Sequence, residues 1–332
     1  MQTSHNIFEQ QAANRRNTVI VMVAFVLFVC LLGLGFDMTV LGMPMLGMPM
    51  SSGDDGVPIP IATLGALMMG GISAFQGFRS GDVTVLRAAG AVPVGPEQPE
   101  YRQLSNVVDE MAIAAGVPRP ALYVIPDPDP NAFATGRDPQ HASIAVTLGL
   151  LDQLSRDELQ GVIAHEMGHI RNLDIRLMTV VAALIGTVML ISEYGLRLMR
   201  FGVGGKSRKS SSDKGGGGLG AMMFVVWLIA LILAPFLSRI LAMAVSRERE
   251  YLADASGAQL TRNPAALASA LEKIDAAEDP TRAIKKGSAH LCIADPLGRN
   301  VNEKEGTFAD LFATHPPIRK RITYLRAMAY TA

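Results

Sequence analysis

The chain has 332 residues, of which 49% are hydrophobic and only 18% charged, a balance that points to a membrane setting. Its 30 Lys and Arg offset 30 Asp and Glu, so the net charge of +0 excludes a broad nucleic-acid-binding surface. With Cys30 in an apolar stretch and Cys292 far from it, a disulfide framework is excluded and a reducing compartment suits the chain.

Four apolar stretches are predicted to meet a bilayer. Val19–Phe36 is nearly free of polar groups and long enough to span. Val57–Phe78 is comparable, with glycines of the kind tolerated in packed membrane helices. Leu177–Ile191 is shorter, and Leu219–Val245 is long, with Pro235 as a kink and Arg239 toward one end. For these last two, core helices of a soluble domain are the competing reading. Arg15 and Arg16 precede the first stretch, and Arg79 and Arg87 follow the second. The loop between carries Asp37, Asp54 and Asp55 and no Lys or Arg, which places the N-terminus and the region after residue 79 in the cytoplasm. No small-residue cleavage site clearly follows the first stretch, so it is expected to be a retained anchor. Within the loop, Leu41–Met45 and Leu46–Met50 repeat the same five residues. A duplication in a tolerant loop explains them better than a thioether site for Cu(I).

Ala121–Ile125 and Ser143–Leu148 are predicted as short β-strands from their β-branched and aliphatic residues. Between them Pro126, Pro128 and Pro130 form a turn-rich run that leads into Asn131, Ala132, Phe133 and Ala134. The small residues there would let a substrate backbone add as a strand to an open edge; an ordinary surface loop is the alternative.

A helix is predicted next. Ser155 and Glu158 fit a capping box, and Leu159, Val162, Ile163 and Met167 form an apolar stripe at helical spacing. His165 and His169, four apart, share the neighbouring face and can bind one Zn²⁺. Glu166 can then take a proton from metal-activated water, as in a zinc peptidase. The five residues alone also fit a solvated helix face. Farther on, Glu250 and Asp254 are again four apart: Glu250 offers a third ligand, and Asp254 a carboxylate to orient a ligand histidine. Ion pairs at a charged helix end are the alternative, and Glu248 is the local competitor but lacks an Asp four residues on. The loop before the last apolar stretch is basic, with Arg197, Arg200, Lys206, Arg208, Lys209 and Lys214. Either the hairpin spans regardless, or it enters part way and this loop rests on anionic lipid. Residues 276–312 read as loop-rich. His315 then precedes Pro316 and Pro317 and a helix over Ile318–Met328. It could donate a hydrogen bond to an oxyanion, or it could cap or pack. His141 and His290 are weaker candidates, and His5 lies in a polar tail.

The HEMGH at 165–169, the SREREYLAD ending at Asp254, the NAFATG at 131–136 and the LFATHPPIRKRI at 311–322 carry a resemblance over nearly the whole chain. It is to the HtpX family, membrane zinc metallopeptidases related to the CAAX prenyl proteases. The resemblance implies one Zn²⁺ per chain held by His165, His169 and Glu250, Glu166 as general base, and His315 at the active site. It implies a mostly helical α+β catalytic domain of zincin type, with a small β-sheet, plus transmembrane helices. It further implies hydrolysis of misfolded or damaged membrane proteins at the cytoplasmic face of a bacterial-type inner membrane. The expected layout is an anchoring hairpin over residues 1–80, a catalytic domain over 81–174 and 246–332, and an inserted apolar hairpin over 175–245. His169 lies roughly 12 Å before Leu177 along a helix, so the zinc is expected near the lipid surface. Two other functions compete: a selective processing protease of the prenyl-protease type, and a non-catalytic zinc-stabilised scaffold. Glu166 argues against the scaffold, since a closed structural site needs no base.

Overall fold

The computed structural model describes residues 7–39, 59–95, 97–201, 228, 247–277, 281–284, 288–296 and 316–331. The five-residue repeat, the basic residues Lys206–Lys214, His315 and, apart from Leu228, the expected segment Leu219–Val245 lie outside the described residues. The chain divides into two compact units. One comprises Met1–Val19, Gly77–Ala183 and Arg239–Ala332, and the other Ile20–Gln76 and Leu184–Ser238.

The second unit holds most of two helices, α1 (Ile7–Thr39) and α2 (Ile61–Ala88), both long and apolar enough to cross a membrane. α1 contains the first expected span, and α2 the second from Ile61 onward. Gly33 lets them touch: a Cβ there would stand 2.7 Å from Ala66 Cβ and 2.8 Å from Ala62 O. Close approach of small residues is how helices associate where lipid removes the hydrophobic drive. Buried Asp37 accepts from the backbone N–H groups of Ala62 (2.9 Å) and Thr63 (2.7 Å), amides that the start of α2 leaves without helical partners. Val23, Leu27, Leu31, Leu64, Met68 and Phe75 point outward, an apolar surface suited to acyl chains.

In the first unit α2 breaks at Ser80 (φ −141°, ψ 25°) before its last residues. There follow β1 (Val92–Pro93), α3 (Arg102–Ala115), β2 (Ala121–Ile125), β3 (Ala132–Gly136), β4 (Ala142–Thr147) and α4 (Leu148–Gln153). Then come α5 (Arg156–Arg171), α6 (Asp174–Phe201), α7 (Arg247–Thr261), α8 (Pro264–Ala276) and α9 (Ile318–Thr331). The sheet order is β1-β2-β4-β3. β2 and β4 run parallel from Ala121↔Ser143 to Ile125↔Thr147, and β1 and β3 lie antiparallel at the two edges. The fold is α+β, mostly helical, with a small mixed sheet and membrane helices, as expected.

α5 is the centre of this unit. It packs against α3, α7, α8 and β3, and Val162, Ile163, Met167 and Ile170 are fully buried with Leu150, Leu267, Leu271 and Leu325. The predicted capping box is formed: Ser155 N–H donates to Glu158 Oε2 at 2.7 Å, and Ser155 Oγ accepts from Glu158 N–H at 3.4 Å. Glu158 also accepts from Ser269 Oγ (2.6 Å) and Lys273 Nζ (2.7 Å), which ties α5 to α8. Two glycines bring α5 and α7 together. A Cβ on Gly168 would meet Ser256 Cβ at 3.2 Å, and one on Gly257 would meet the His165 backbone nitrogen at 3.1 Å. At the far end α5 turns by 86° into α6, across Asn172 and Leu173. Together, as one bent span, α5 and α6 are long and apolar enough to enter a membrane.

Candidate metal centre

α5 presents His165 and His169 one turn apart, with ring centroids 4.8 Å from each other. The close α5–α7 contact places Glu250 opposite them. Glu250 Oε2 lies 3.8 Å from His165 Nε2, and Oε1 lies 3.5 Å from His169 Nε2. Ligand atoms of these three buried residues all fall within 4.8 Å of one another. Sequence reasoning paired Glu250 with the two histidines, and the fold brings all three together.

The surroundings fit a divalent cation. His165 Nε2 and both carboxylate oxygens of Glu166 are buried without a hydrogen bond, an arrangement that is costly unless another group satisfies them. Each imidazole has a carboxylate on its other side: His165 Nδ1 is 3.0 Å from Asp254 Oδ1, and His169 Nδ1 is 3.0 Å from Asp174 Oδ2. With Nδ1 donating to these carboxylates, each ring can offer Nε2, on the side of Glu250, to a metal. Buried carboxylates, Glu166, Asp174, Glu250 and Asp254, outnumber the buried guanidiniums of Arg249 and Arg321. Burial opposes a charged His169, but hydrogen bonds and charge from Asp174 and Glu250 outweigh it and push the ring well above its ordinary pKa. The pocket favours positive charge at this point. Two imidazoles and one carboxylate are also the donor set of a catalytic site with an open position.

Glu166 sits beside the cluster, 1% exposed. Burial raises its carboxyl above the usual range; the two histidines pull the other way, and Glu250 adds to the rise. Asp254 is held ionised despite burial by Arg321, whose Nε and Nη2 bond its two oxygens at 2.8 and 2.7 Å. The same guanidinium lies 3.0 Å from Glu250 Oε2 and donates to Ile293 O at 2.8 Å. Asp174 and Arg321 were not assigned by sequence reasoning. For Arg321 a signal existed, because an arginine in register with Ile318 and Leu325 falls on the buried face of α9. Asp174 is five residues past His169 at the start of a new helix, where no helical spacing links them.

The expected substrate strand is β3, and all its residues are buried. Its outer edge is not open along Ala132 and Phe133: Ile293 N–H donates to Ala132 O at 2.9 Å, and Phe133 bridges to Cys292. Buried backbone groups at an edge need partners, and this later segment supplies them. Asn131 Nδ2 donates to Thr281 Oγ1 (3.1 Å) and Ala294 O (3.2 Å), and so fastens the same segment. The Cys292 thiol is pushed well up by burial and the nearby Glu166, which makes it inert. His141 pairs with Asp138 at 2.6 Å, and His290 Nε2 lies 3.1 Å from Met178 O; neither joins the cluster.

The family model for peptidase family M48 matches residues 98–329. A protease HtpX homolog of Caldanaerobacter subterraneus subsp. tengcongensis is 48% identical over 251 residues, covering 76% of this chain and 79% of that protein. One of Streptococcus gordonii is 39% identical over 322 residues, covering 97% and 100%. Among solved structures, S. mikatae Ste24p aligns with 96% of this chain and 67% of its own at 17% identity and a TM-score of 0.46. With its family match, its HtpX relatives and two helices fit to cross a membrane, the chain belongs to peptidase family M48 as an HtpX-type membrane metalloendopeptidase.

Proposed function

We propose that the metal is Zn²⁺, held by His165, His169 and Glu250, and that the chain cleaves misfolded or damaged membrane proteins at the cytoplasmic face of an inner membrane. The buried His165, His169 and Glu250 cluster, with unbonded Glu166 at its side, carries this reading. When bound, the ion would polarise the scissile carbonyl and acidify the attacking water. Glu166 takes the proton from that water and passes it to the leaving amine. Asp254 and Asp174 hold the two imidazoles, and Arg321 holds Asp254 and Glu250 in register. His315 donates to the developing oxyanion. The substrate backbone runs along β3 beside Asn131, Ala132, Phe133 and Ala134, which at Ala132 and Phe133 requires the pairing with Cys292 and Ile293 to give way. Basic residues flanking the first two spans support the cytoplasmic placement, and backbone-directed binding suits unfolded substrates of many sequences.

The test is cleavage of an unfolded protein by the detergent-purified chain, prepared under chelator and then given Zn²⁺, with Glu166→Gln in parallel. Zinc-dependent cleavage by the wild type alone is expected. Stoichiometric zinc with no cleavage by either protein would sink the broad endopeptidase reading in favour of a selective processing enzyme or a scaffold.

A further inference from the structure

The corner between α5 and α6 is held by a segment from the other end of the chain. The last carbonyls of α5 have no partner within the helix. Gln11 Nε2 donates to Arg171 O at 2.8 Å, and Asn14 Nδ2 donates to Asn172 O at 2.9 Å. Leu173 follows at φ +60°, a conformation that a non-glycine residue rarely adopts. The chain therefore turns sharply between His169 and Asp174, and this turn decides whether the Asp174 carboxylate reaches the His169 ring.

Asn14 controls that approach directly. It is fully buried, and the same Nδ2 that caps Asn172 donates to Asp174 Oδ1 at 2.7 Å. Both amide hydrogens are thereby used, one on the turn and one on the carboxylate. The other oxygen of Asp174 meets His169 Nδ1 at 3.0 Å. Arg249 Nε is also near Asp174 Oδ1, but at 3.7 Å. We propose that Asn14 is a positioning residue for the metal ligand His169, acting through Asp174. It fixes the carboxylate, which fixes the ring with Nε2 toward the metal. The inference rests on His169 being a ligand. A neutral amide suits the task, since it holds Asp174 in place while leaving its negative charge for the imidazole. Asn14 lies in the part of α1 up to Val19, which belongs to the first unit, with the catalytic residues, and continues into the first membrane helix. The metal site is thus complete only when the start of α1 is seated on the α5–α6 corner.

The experiment measures Zn²⁺ affinity by competition with a chelator, and the Co²⁺ absorption spectrum, on the full chain in detergent. Asn14→Ala is expected to weaken Zn²⁺ binding by about 3- to 10-fold and to alter the Co²⁺ spectrum, less than the 10- to 100-fold typical of direct partners of ligands. Gln11→Ala removes a cap on the same corner without touching Asp174; it should lower the Tm and leave affinity and spectrum unchanged. Wild-type affinity and spectrum in Asn14→Ala, or an equal affinity loss in Gln11→Ala, overturns the proposal. His169→Ala and Glu250→Ala are run alongside. If these keep Zn²⁺ affinity, the metal-site reading itself fails; if they lose it while Asn14→Ala does not, only the positioning role fails. Should Asn14→Ala not fold, Asn14→Ser keeps a short polar donor, and the same two readouts decide.

Discussion

The two histidines of the metal centre are equivalent in the motif and held by different means. His165 is oriented by Asp254, and Asp254 is gripped at both oxygens by the buried guanidinium of Arg321. His169 is oriented by Asp174, whose closest donor besides the ring is the Asn14 amide. The first arrangement lies among α5, α7 and α9, inside the catalytic core. The second depends on the helix that leads into the bilayer. One imidazole is thus fixed by a charged, bidentate clamp; the other relies on a neutral amide at 2.7 Å, with the Arg249 guanidinium more distant at 3.7 Å. Charge-assisted bidentate pairs are the stronger kind. The site therefore has one side clamped within the core and one side that rests on the start of α1.

The largest expected effect tests the clamped side. Arg321→Ala would leave Asp254 and Glu250 as buried carboxylates without their cation and should destabilise the fold by about 3–5 kcal/mol, measured by thermal unfolding. Arg321→Lys should recover little, because an ammonium cannot bond both oxygens in one plane. Recovery to wild-type stability would show that only net charge matters here. Next come the two carboxylates. Asp254→Asn and Asp174→Asn should each weaken Zn²⁺ binding by about 10- to 100-fold. The asymmetry predicts that Asp254→Asn lowers stability more than Asp174→Asn, since Arg321 bonds both oxygens of Asp254 while Arg249 stands 3.7 Å from Asp174; equal losses of Tm would remove the distinction.

The smallest effect concerns the opposite end of α5. Burial opposes the charge on Glu158, but Lys273, Ser269 and Ser155 outweigh it and lower its pKa to about 2. Because the folded-state value lies below the ordinary 4.5, the contribution is complete above that pH and is lost as pH falls toward about 2. Glu158→Gln should therefore cost about 1 kcal/mol at neutral pH, discounted for the exposed Lys273, with the gap to wild type closing toward pH 2. Zn²⁺ affinity should stay unchanged. A loss of affinity would mean that both ends of α5, and not the corner alone, set the ligand geometry.

Much of this was legible in the chain because it is local. The Ser155–Glu158 box, the His165–His169 spacing and the Glu250–Asp254 spacing are each three or four residues on one helix, and helix geometry converts such spacing into a shared face. The first two spans needed only length and apolar content, and Ala121–Ile125 needed only β-branched and aliphatic residues. The expectation for β3 was half legible. Small residues that let a backbone approach closely could be read at 131–134, but not that Cys292 and Ile293 would pair there, because a lone segment does not announce its neighbour across an edge.

The sequence by itself determined which residues can bind a metal, which carboxylate stands beside it, and that the chain meets a membrane. The tertiary structure decided how these groups are aimed. Asn14 and Asp174 are separated by 160 positions, and Arg321 reaches Asp254 across 67. No periodicity connects residues that far apart. Their contacts exist because helices pack at close glycine positions, because the end of α5 must have its carbonyls satisfied, and because a buried carboxylate must find a donor.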